Sequence, residues 1–187
     1  MSAPVATGLT YEDLARLPDD DRLRRELIDG ELYVTPSPVI RHQRSVSRVL
    51  AALLAYTDQQ GGLALPAPID VVFSPESVVE PDVVFLSAVR AAELGDVRFI
   101  DVVPDLLVEV SSPTTRRLDL IKKRNLYERE GVPEYWFVDL EAEQVDVHRL
   151  DDTGHYGQPT SLGIGAMLTC LAAPGLSLPV DEALARS

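Results

Sequence analysis

The chain has 187 residues, of which 45% are hydrophobic, 25% are charged and 6% are aromatic. A chain of this length and composition can bury a sizeable core, which argues against intrinsic disorder and against a fold that depends on disulfides or a structural metal. The net charge of −13 argues against non-specific binding to polyanions. We expect residues 1–187 to form one domain.

Short segments with clear boundaries are predicted in the N-terminal third of the chain. Thr10 is an N-cap residue that predicts a helix over Tyr11–Leu17. Two apolar-rich arms surround Asp29-Gly30, so Glu26–Val34 is predicted to form a β-hairpin. Apolar residues at helical spacing then predict a long helix over Val39–Gln60.

The rest of the chain is predicted to alternate between strands and one helix. That helix runs from about Thr115 to Glu130. Residues 151–187 are expected to form loops and one or two short edge strands. The predicted strands are Leu63–Phe73, Val79–Phe85, Asp105–Val110, Glu134–Asp139 and Gln144–Leu150. This order predicts a mixed α/β sheet flanked by helices, with a hairpin near the N-terminus.

No leader or membrane segment is expected. The longest apolar run, Val49–Tyr56, is far shorter than the roughly 18 residues of a membrane-crossing helix. Residues 1–5 contain no basic segment followed by an apolar stretch. The single cysteine, Cys170, can form neither an internal disulfide nor a cysteine-based zinc site. These features predict a reduced, cytoplasmic protein with no membrane partner.

Two carboxylates interrupt strands that are otherwise apolar. Asp82 follows Pro81 and precedes an apolar run, and Glu109 lies inside another. A buried charge is costly unless it is paired or bound to a cation. Oxygen ligands of this kind suit Mg²⁺ or Mn²⁺ better than zinc. The alternative is that each acid lies at a strand end in solvent or pairs with an arginine.

The helix after Glu109 is the predicted source of a lysine for these acids. Asp119, Lys123 and Tyr127 are spaced to form one ridge beside an apolar arc of Leu118, Ile121 and Leu126. Helical periodicity does not separate Lys123 from Lys122, and a simple ion pair between Asp119 and Lys123 is the alternative.

Several motifs occur together in a recognisable order. They are Glu26–Leu32, Pro38 with His42, Pro81-Asp82, Pro104–Thr114, Asp119…Lys123…Tyr127 and Gly131–Asp139. Because these motifs occur in this order, the chain resembles the Uma-two family of endonucleases over about residues 10–150. The resemblance implies a restriction-endonuclease-like fold of the PD-(D/E)xK superfamily.

The resemblance also implies a catalytic set. Asp82 and Glu109 would be the metal ligands, with Mg²⁺ or Mn²⁺ as the cofactor. The superfamily normally places a lysine two residues after the second acid, but this chain has Ser111 there. Lys123 occupies the position where this family draws its lysine from the following helix, and Lys122 is the alternative.

Two further positions match the family outside that set. Glu31, and less securely Glu26, resembles an upstream acid that can complete the metal shell, although acids beside a hairpin turn are usually solvated. His42 matches a histidine that would contact phosphate or water, although a single histidine near a helix start more often has a structural role.

Cations are concentrated in short segments despite the acidic average. Three groups hold 11 of the 17 lysines and arginines: Arg22, Arg24 and Arg25; Arg41, Arg44 and Arg48; and Arg116, Arg117, Lys122, Lys123 and Arg124. These groups could meet on one face, although solvated charge runs are the more common explanation.

The sequence therefore predicts a metal-dependent endonuclease that hydrolyses phosphodiesters in nucleic acid, with DNA the expected polymer. Contacts to phosphates are expected from His42, Arg41, Arg44, Arg116 and Lys122. A homodimer would pool two basic faces. The alternatives are a catalytically inactive binding or assembly module that keeps the nuclease scaffold, and a hydrolase for small phosphoesters.

Overall fold

The computed structural model describes residues 4–17, 23–36, 39–95, 98–112 and 115–186. Arg22, Pro38, Pro113 and Thr114, which the sequence analysis uses in a basic group or a motif, lie outside these ranges. The strands are β1 Leu23–Ile28, β2 Glu31–Pro36, β3 Leu63–Pro66, β4 Val71–Ser74, β5 Ser77–Val79, β6 Val83–Leu86, β7 Leu106–Val110, β8 Glu134–Asp139, β9 Gln144–Arg149, β10 Thr160–Gly163, β11 Met167–Cys170 and β12 Ala173–Pro179. The helices are α1 Tyr11–Ala15, α2 Ile40–Gln60, α3 Ala88–Ala91, a π-helical segment Leu118–Lys123 that continues into α4 Arg124–Arg129, and α5 Val180–Ala183.

A mixed sheet of six strands lies at the centre of the fold. Its order is β10-β9-β8-β7-β6-β3. Strands β7 and β8 are parallel, and the other neighbours are antiparallel. A second sheet has the order β2-β1-β5-β4, and β11 pairs with β12. Together with the flanking helices, this arrangement confirms the predicted mixed α/β class.

The two faces of the central sheet bury separate cores. On one face, Val49 and Leu53 of α2 share a cluster with Trp136 of β8 and Leu178 of β12. On the other face, side chains from the second sheet and from α4 pack together, including Ile28 and Tyr127. The cores explain why the strand residues between them are apolar on both sides, and Trp136 is fully buried in the first core.

The predicted hairpin and long helix are confirmed. Asp29 and Gly30 have φ values of 54° and 73°, the left-handed geometry that a two-residue hairpin turn needs. Thr10 and Asp13 form a capping box at α1. Helix α2 ends at Gly61, where φ is 78°.

Two predicted strands are wrong as continuous elements. Residues 63–73 form β3 and β4 in different sheets, and residues 79–85 are divided between β5 and β6. Prolines at positions 66, 68 and 81 lie at the breaks, and proline has no amide hydrogen to donate to a sheet. The second break has a functional consequence, because it places Asp82 immediately before β6.

The C-terminal part contains more structure than the sequence predicts. Strands β10, β11 and β12 and helix α5 replace the expected loops with one or two edge strands. Glycines and prolines in this segment obscure the alternation of apolar side chains, of which Leu168, Leu176 and Leu178 are buried. Helix α3 was also not predicted, because it has only four residues.

Gly62 is expected to be a position where an added methyl group breaks the fold. Its φ is +102°, and a Cβ there would lie 2.5 Å from the carbonyl oxygen of Leu86 in β6. We expect Gly62→Ala to lower the free energy of unfolding by about 2–4 kcal/mol. Urea unfolding followed by circular dichroism measures the loss.

Gly157→Ala is the matched control for this prediction. A Cβ at Gly157 meets no atom within 4 Å. Its effect is expected to stay within about 0.5 kcal/mol. Equal losses for the two variants would contradict the role assigned to Gly62.

Candidate active site

Asp82 and Glu109 lie together at one end of the central sheet. Val83 of β6 pairs with Val108 of β7 in antiparallel register, so the next residues outward, Asp82 and Glu109, face each other on the same side. Both acids line a cavity of about 260 Å³. The cavity is lined by Arg24, Glu26, Thr35, Pro36, Val39, His42, Asp82, Glu109, Val110, Ser112, Thr115, Asp119 and Lys123.

Asp82 is held by three donors. Arg24 Nη2 lies 2.8 Å from Oδ1, while His42 Nε2 lies 3.0 Å and the amide of Val110 lies 2.8 Å from Oδ2. Burial opposes the charge of Asp82, but the His42 hydrogen bond and the Arg24 charge outweigh it and lower the pKa of this carboxyl. Asp82 is therefore an ionised carboxylate in an enclosed position.

Lys123 is enclosed by carboxylates. Its Nζ lies 2.7 Å from Glu26 Oε1, 2.8 Å from Glu109 Oε1 and 3.7 Å from Asp119 Oδ1. The lysine side chain is only 1% exposed. Burial disfavours its charge, yet Glu109 and Glu26 raise the pKa of Lys123 above its ordinary value. The lysine that reaches the strand acid Glu109 is thus Lys123.

Glu109 shares its Oε1 between Lys123 and a buried tyrosine. The hydroxyl of Tyr127 donates to that oxygen at 2.7 Å. Burial and the neighbouring acids raise the pKa of Glu109 well above its ordinary value, and burial raises the pKa of Asp119 to about 7. Burial is the larger cause for both groups, and an excess of acids around them adds to it. Among the described residues that line the cavity, four carboxyl groups face two permanent cations and one imidazole.

A π-helical turn presents this ridge to the cavity. The amide of Arg124 donates to the carbonyl of Asp119, five residues earlier. Asp119, Lys123 and Tyr127 are buried as the predicted ridge requires. The predicted apolar arc is wrong at Ile121, which is 45% exposed, because the wider π turn changes the angle between successive side chains.

Two predicted members of the site have other partners. Glu31 pairs with Lys122 at 3.1 Å and accepts a hydrogen bond from Tyr33, and neither Glu31 nor Lys122 lines the cavity as described. The upstream acid inside the cavity is Glu26. Ser111 is buried and accepts a hydrogen bond from the amide of Leu140 through Oγ, so the residue two positions after Glu109 has a structural role here.

The predicted phosphate contacts are divided between the cavity and the surface. His42 is buried and donates to Asp82. Arg116 pairs at 2.6 Å with Asp139, which explains the lowered pKa of that carboxyl despite its burial. Arg41 lies 3.6 Å from Glu143, and Arg44 is exposed one turn further along α2. Arg41 and Arg44 are therefore surface cations, and they lie at the end of α2 that is nearest to the cavity.

Arg24 was not predicted as a site residue, although it belongs to one of the three basic groups. The sequence nevertheless contains a pattern that could have identified Arg24. Residues two apart on a strand share a face, so Arg24 shares the face of Glu26 on β1. Arg24 pairs with Asp82, and Asp82 and Glu26 raise its pKa against the effect of burial.

The fold of this protein is similar to that of a protein of known structure. A crystal structure of a putative nuclease belonging to DUF820 from Anabaena variabilis ATCC 29413 superimposes with a TM-score of 0.80 at 17% identity, covering 95% of this chain and 98% of that one. The fold is therefore restriction-endonuclease-like. No curated protein matches the sequence.

The family follows from the sequence. The profile of the Uma2 family, described as "Putative restriction endonuclease", matches residues 11–181. The chain belongs to the Uma2 family, and the resemblance to the Uma-two family is confirmed. Membership of this family supports a nuclease-type function. No helix in the described ranges is long and apolar enough to cross a membrane.

Lys123→Met is expected to destabilise the protein by about 3–5 kcal/mol, because it leaves Glu26 and Glu109 buried without their shared cation. Lys122→Met is the matched control. Its side chain is 48% exposed, so its loss is expected to stay below about 1 kcal/mol. Urea unfolding of both variants at neutral pH measures the difference. A Lys123→Met protein as stable as wild type would contradict the enclosed ion-pair account.

Proposed function

We propose that this protein is a metal-dependent endonuclease that hydrolyses phosphodiester bonds in DNA. The observation that carries the proposal is the convergence of Asp82, Glu109 and Lys123 in one cavity. Membership of the Uma2 family and the nuclease described for the Anabaena protein support the same chemistry.

The donor set in the cavity fits a hard divalent cation. Within the described ranges, no three histidine, cysteine, aspartate or glutamate side chains form a group that could hold a metal by themselves. Mg²⁺ does not need such a cage, because it commonly binds through one or two carboxylates together with water and substrate phosphate. Asp82 and Glu109 supply two carboxylates in a cavity with an excess of acids. They are the residues that would hold Mg²⁺ or Mn²⁺.

The bound cation would supply Lewis-acid polarisation of the phosphoryl oxygen and a more acidic water. The chain's own residues supply the remaining functions. Lys123 keeps a positive charge beside Glu109 and stabilises the negative charge that develops on the phosphate. His42 and the amide of Val110 orient Asp82, and Tyr127 orients Glu109. Glu26 holds Lys123 in place, which is the role the structure favours for the upstream acid.

Arg41 and Arg44 would bind the phosphates that flank the scissile bond. Both lie in the first turns of α2, the helix that also carries His42 into the cavity. The −13 net charge opposes loose binding of a polyanion, so we expect weak and salt-sensitive binding. A homodimer that joins two basic faces would strengthen it.

Cleavage of supercoiled and linear DNA in Mg²⁺ tests the chemistry. Asp82→Asn and Glu109→Gln are expected to lower the cleavage rate by about 100-fold or more, because each removes a charged metal ligand. Glu134→Gln is the matched control. Glu134 is fully buried and bonded to Trp136 and Arg149, outside the cavity lining. Equal cleavage by all four proteins would assign the activity to a contaminant or another site.

Salt dependence tests the phosphate contacts separately from catalysis. We expect Arg44→Ala to reduce the slope of log binding constant against log salt by about 1, as loss of one phosphate contact does. Fluorescence anisotropy with a DNA duplex, without divalent cation, measures this slope. Arg90→Ala, on α3, is the control and should leave the slope unchanged.

A non-catalytic binding or assembly module is the second candidate function. The observation that favours it concerns Asp82. Both of its carboxylate oxygens already accept hydrogen bonds, from Arg24, His42 and the amide of Val110. Calorimetric titration with Mn²⁺ distinguishes the two functions. The nuclease proposal predicts binding that Glu109→Gln abolishes, and an abandoned site predicts no such binding.

A further inference from the structure

Arg24 is a partly exposed member of the cavity lining. Its side chain is 19% exposed, in contrast to 1% for Lys123, so among the described residues of the lining it is the more accessible of two permanent cations. Nη2 contacts Asp82 Oδ1 at 2.8 Å, and Nε lies 4.0 Å from Glu80 Oε2. The guanidinium therefore rests on the carboxylate that the proposed function assigns to the metal.

The three donors to Asp82 differ in their freedom to move. The amide of Val110 belongs to β7, and the ring of His42 is 4% exposed on α2. Arg24 has a long, flexible side chain that is partly exposed to solvent. Magnesium–oxygen distances are about 2.0–2.1 Å, so a cation on Oδ1 would meet the guanidinium at a distance where the two charges repel each other.

We infer that Arg24 is an internal counterion that competes with the divalent cation for Asp82. This inference rests on the proposed function, because it assumes that Asp82 is a metal ligand. Without a divalent cation, Arg24 neutralises a buried carboxylate that would otherwise destabilise the fold. When the cation binds, the guanidinium leaves Oδ1 and moves toward solvent.

Removing Arg24 changes the affinity for the divalent cation, and the direction of that change separates this role from a purely structural one. If Arg24 competes with the cation, removing its charge strengthens metal binding. If Arg24 only holds Asp82 in position, removing it weakens metal binding. The two accounts therefore make opposite predictions for the same variant.

Calorimetric titration with Mn²⁺ alone measures this change. We expect Arg24→Gln to lower the dissociation constant for Mn²⁺ about tenfold or more relative to wild type. Arg24→Lys keeps the charge and should bind Mn²⁺ close to wild type. Arg25→Gln is the matched control, since Arg25 is the adjacent residue of β1 and is outside the cavity lining. It should leave the affinity unchanged.

A second measurement uses the wild-type protein, in case Arg24→Gln does not fold. Phenylglyoxal modification of arginine is mapped by peptide mass spectrometry with and without Mn²⁺. Release from Asp82 predicts faster modification of Arg24 when Mn²⁺ is present. Unchanged or slower modification would overturn the inference.

The outcomes distinguish this inference from the proposed function. If wild type binds Mn²⁺ and Arg24→Gln binds equally or more weakly, Arg24 does not compete and the nuclease proposal stands. If neither wild type nor Arg24→Gln binds Mn²⁺, both the inference about Arg24 and the proposed function are wrong. Binding by Arg24→Gln but not by wild type would support the competition in its strongest form.

Discussion

The enclosed ammonium group of Lys123 is the interaction on which the site depends. It joins Glu26 of the hairpin strand β1 to Glu109 of the central strand β7, and it comes from a helical segment that packs over both. Taking three charges out of water is costly, so the contacts must be short and complete. One buried cation therefore fixes the relative positions of three elements of the chain.

An excess of carboxylates over cations distinguishes this cavity from an ordinary buried ion pair. Lys123 and Arg24 balance part of the negative charge, and burial together with the remaining imbalance raises the pKa values of Glu109 and Asp119. A fold gains little stability from such an arrangement, because an apolar replacement packs as well without the desolvation cost. The arrangement is reasonable for a protein that binds a divalent cation at this position, and that is why the nuclease interpretation is favoured over a purely structural one.

Residues that break a local pattern were the ones that the sequence could predict. Asp82 and Glu109 stand out in apolar strands, and Asp29-Gly30 has few uses other than a hairpin turn. The π turn could not be predicted, and without it the periodicity leaves Lys122 and Lys123 undecided. The family resemblance favoured Glu31 over Glu26, and only the packing of β1 against the helix separates the two acids. The prolines at positions 66, 68 and 81 could in principle have predicted the strand breaks. The C-terminal hairpin was not, since its apolar alternation is short and interrupted by glycine and proline.

A crystal structure of the wild-type protein soaked in Mn²⁺ tests the central claim most directly, because the anomalous signal of manganese locates the ion without reference to activity. The account predicts a peak coordinated by carboxylate oxygens of both Asp82 and Glu109, with the Lys123 ammonium still beside Glu109. A cavity without manganese at saturating concentration, or manganese bound only elsewhere on the surface, would contradict it.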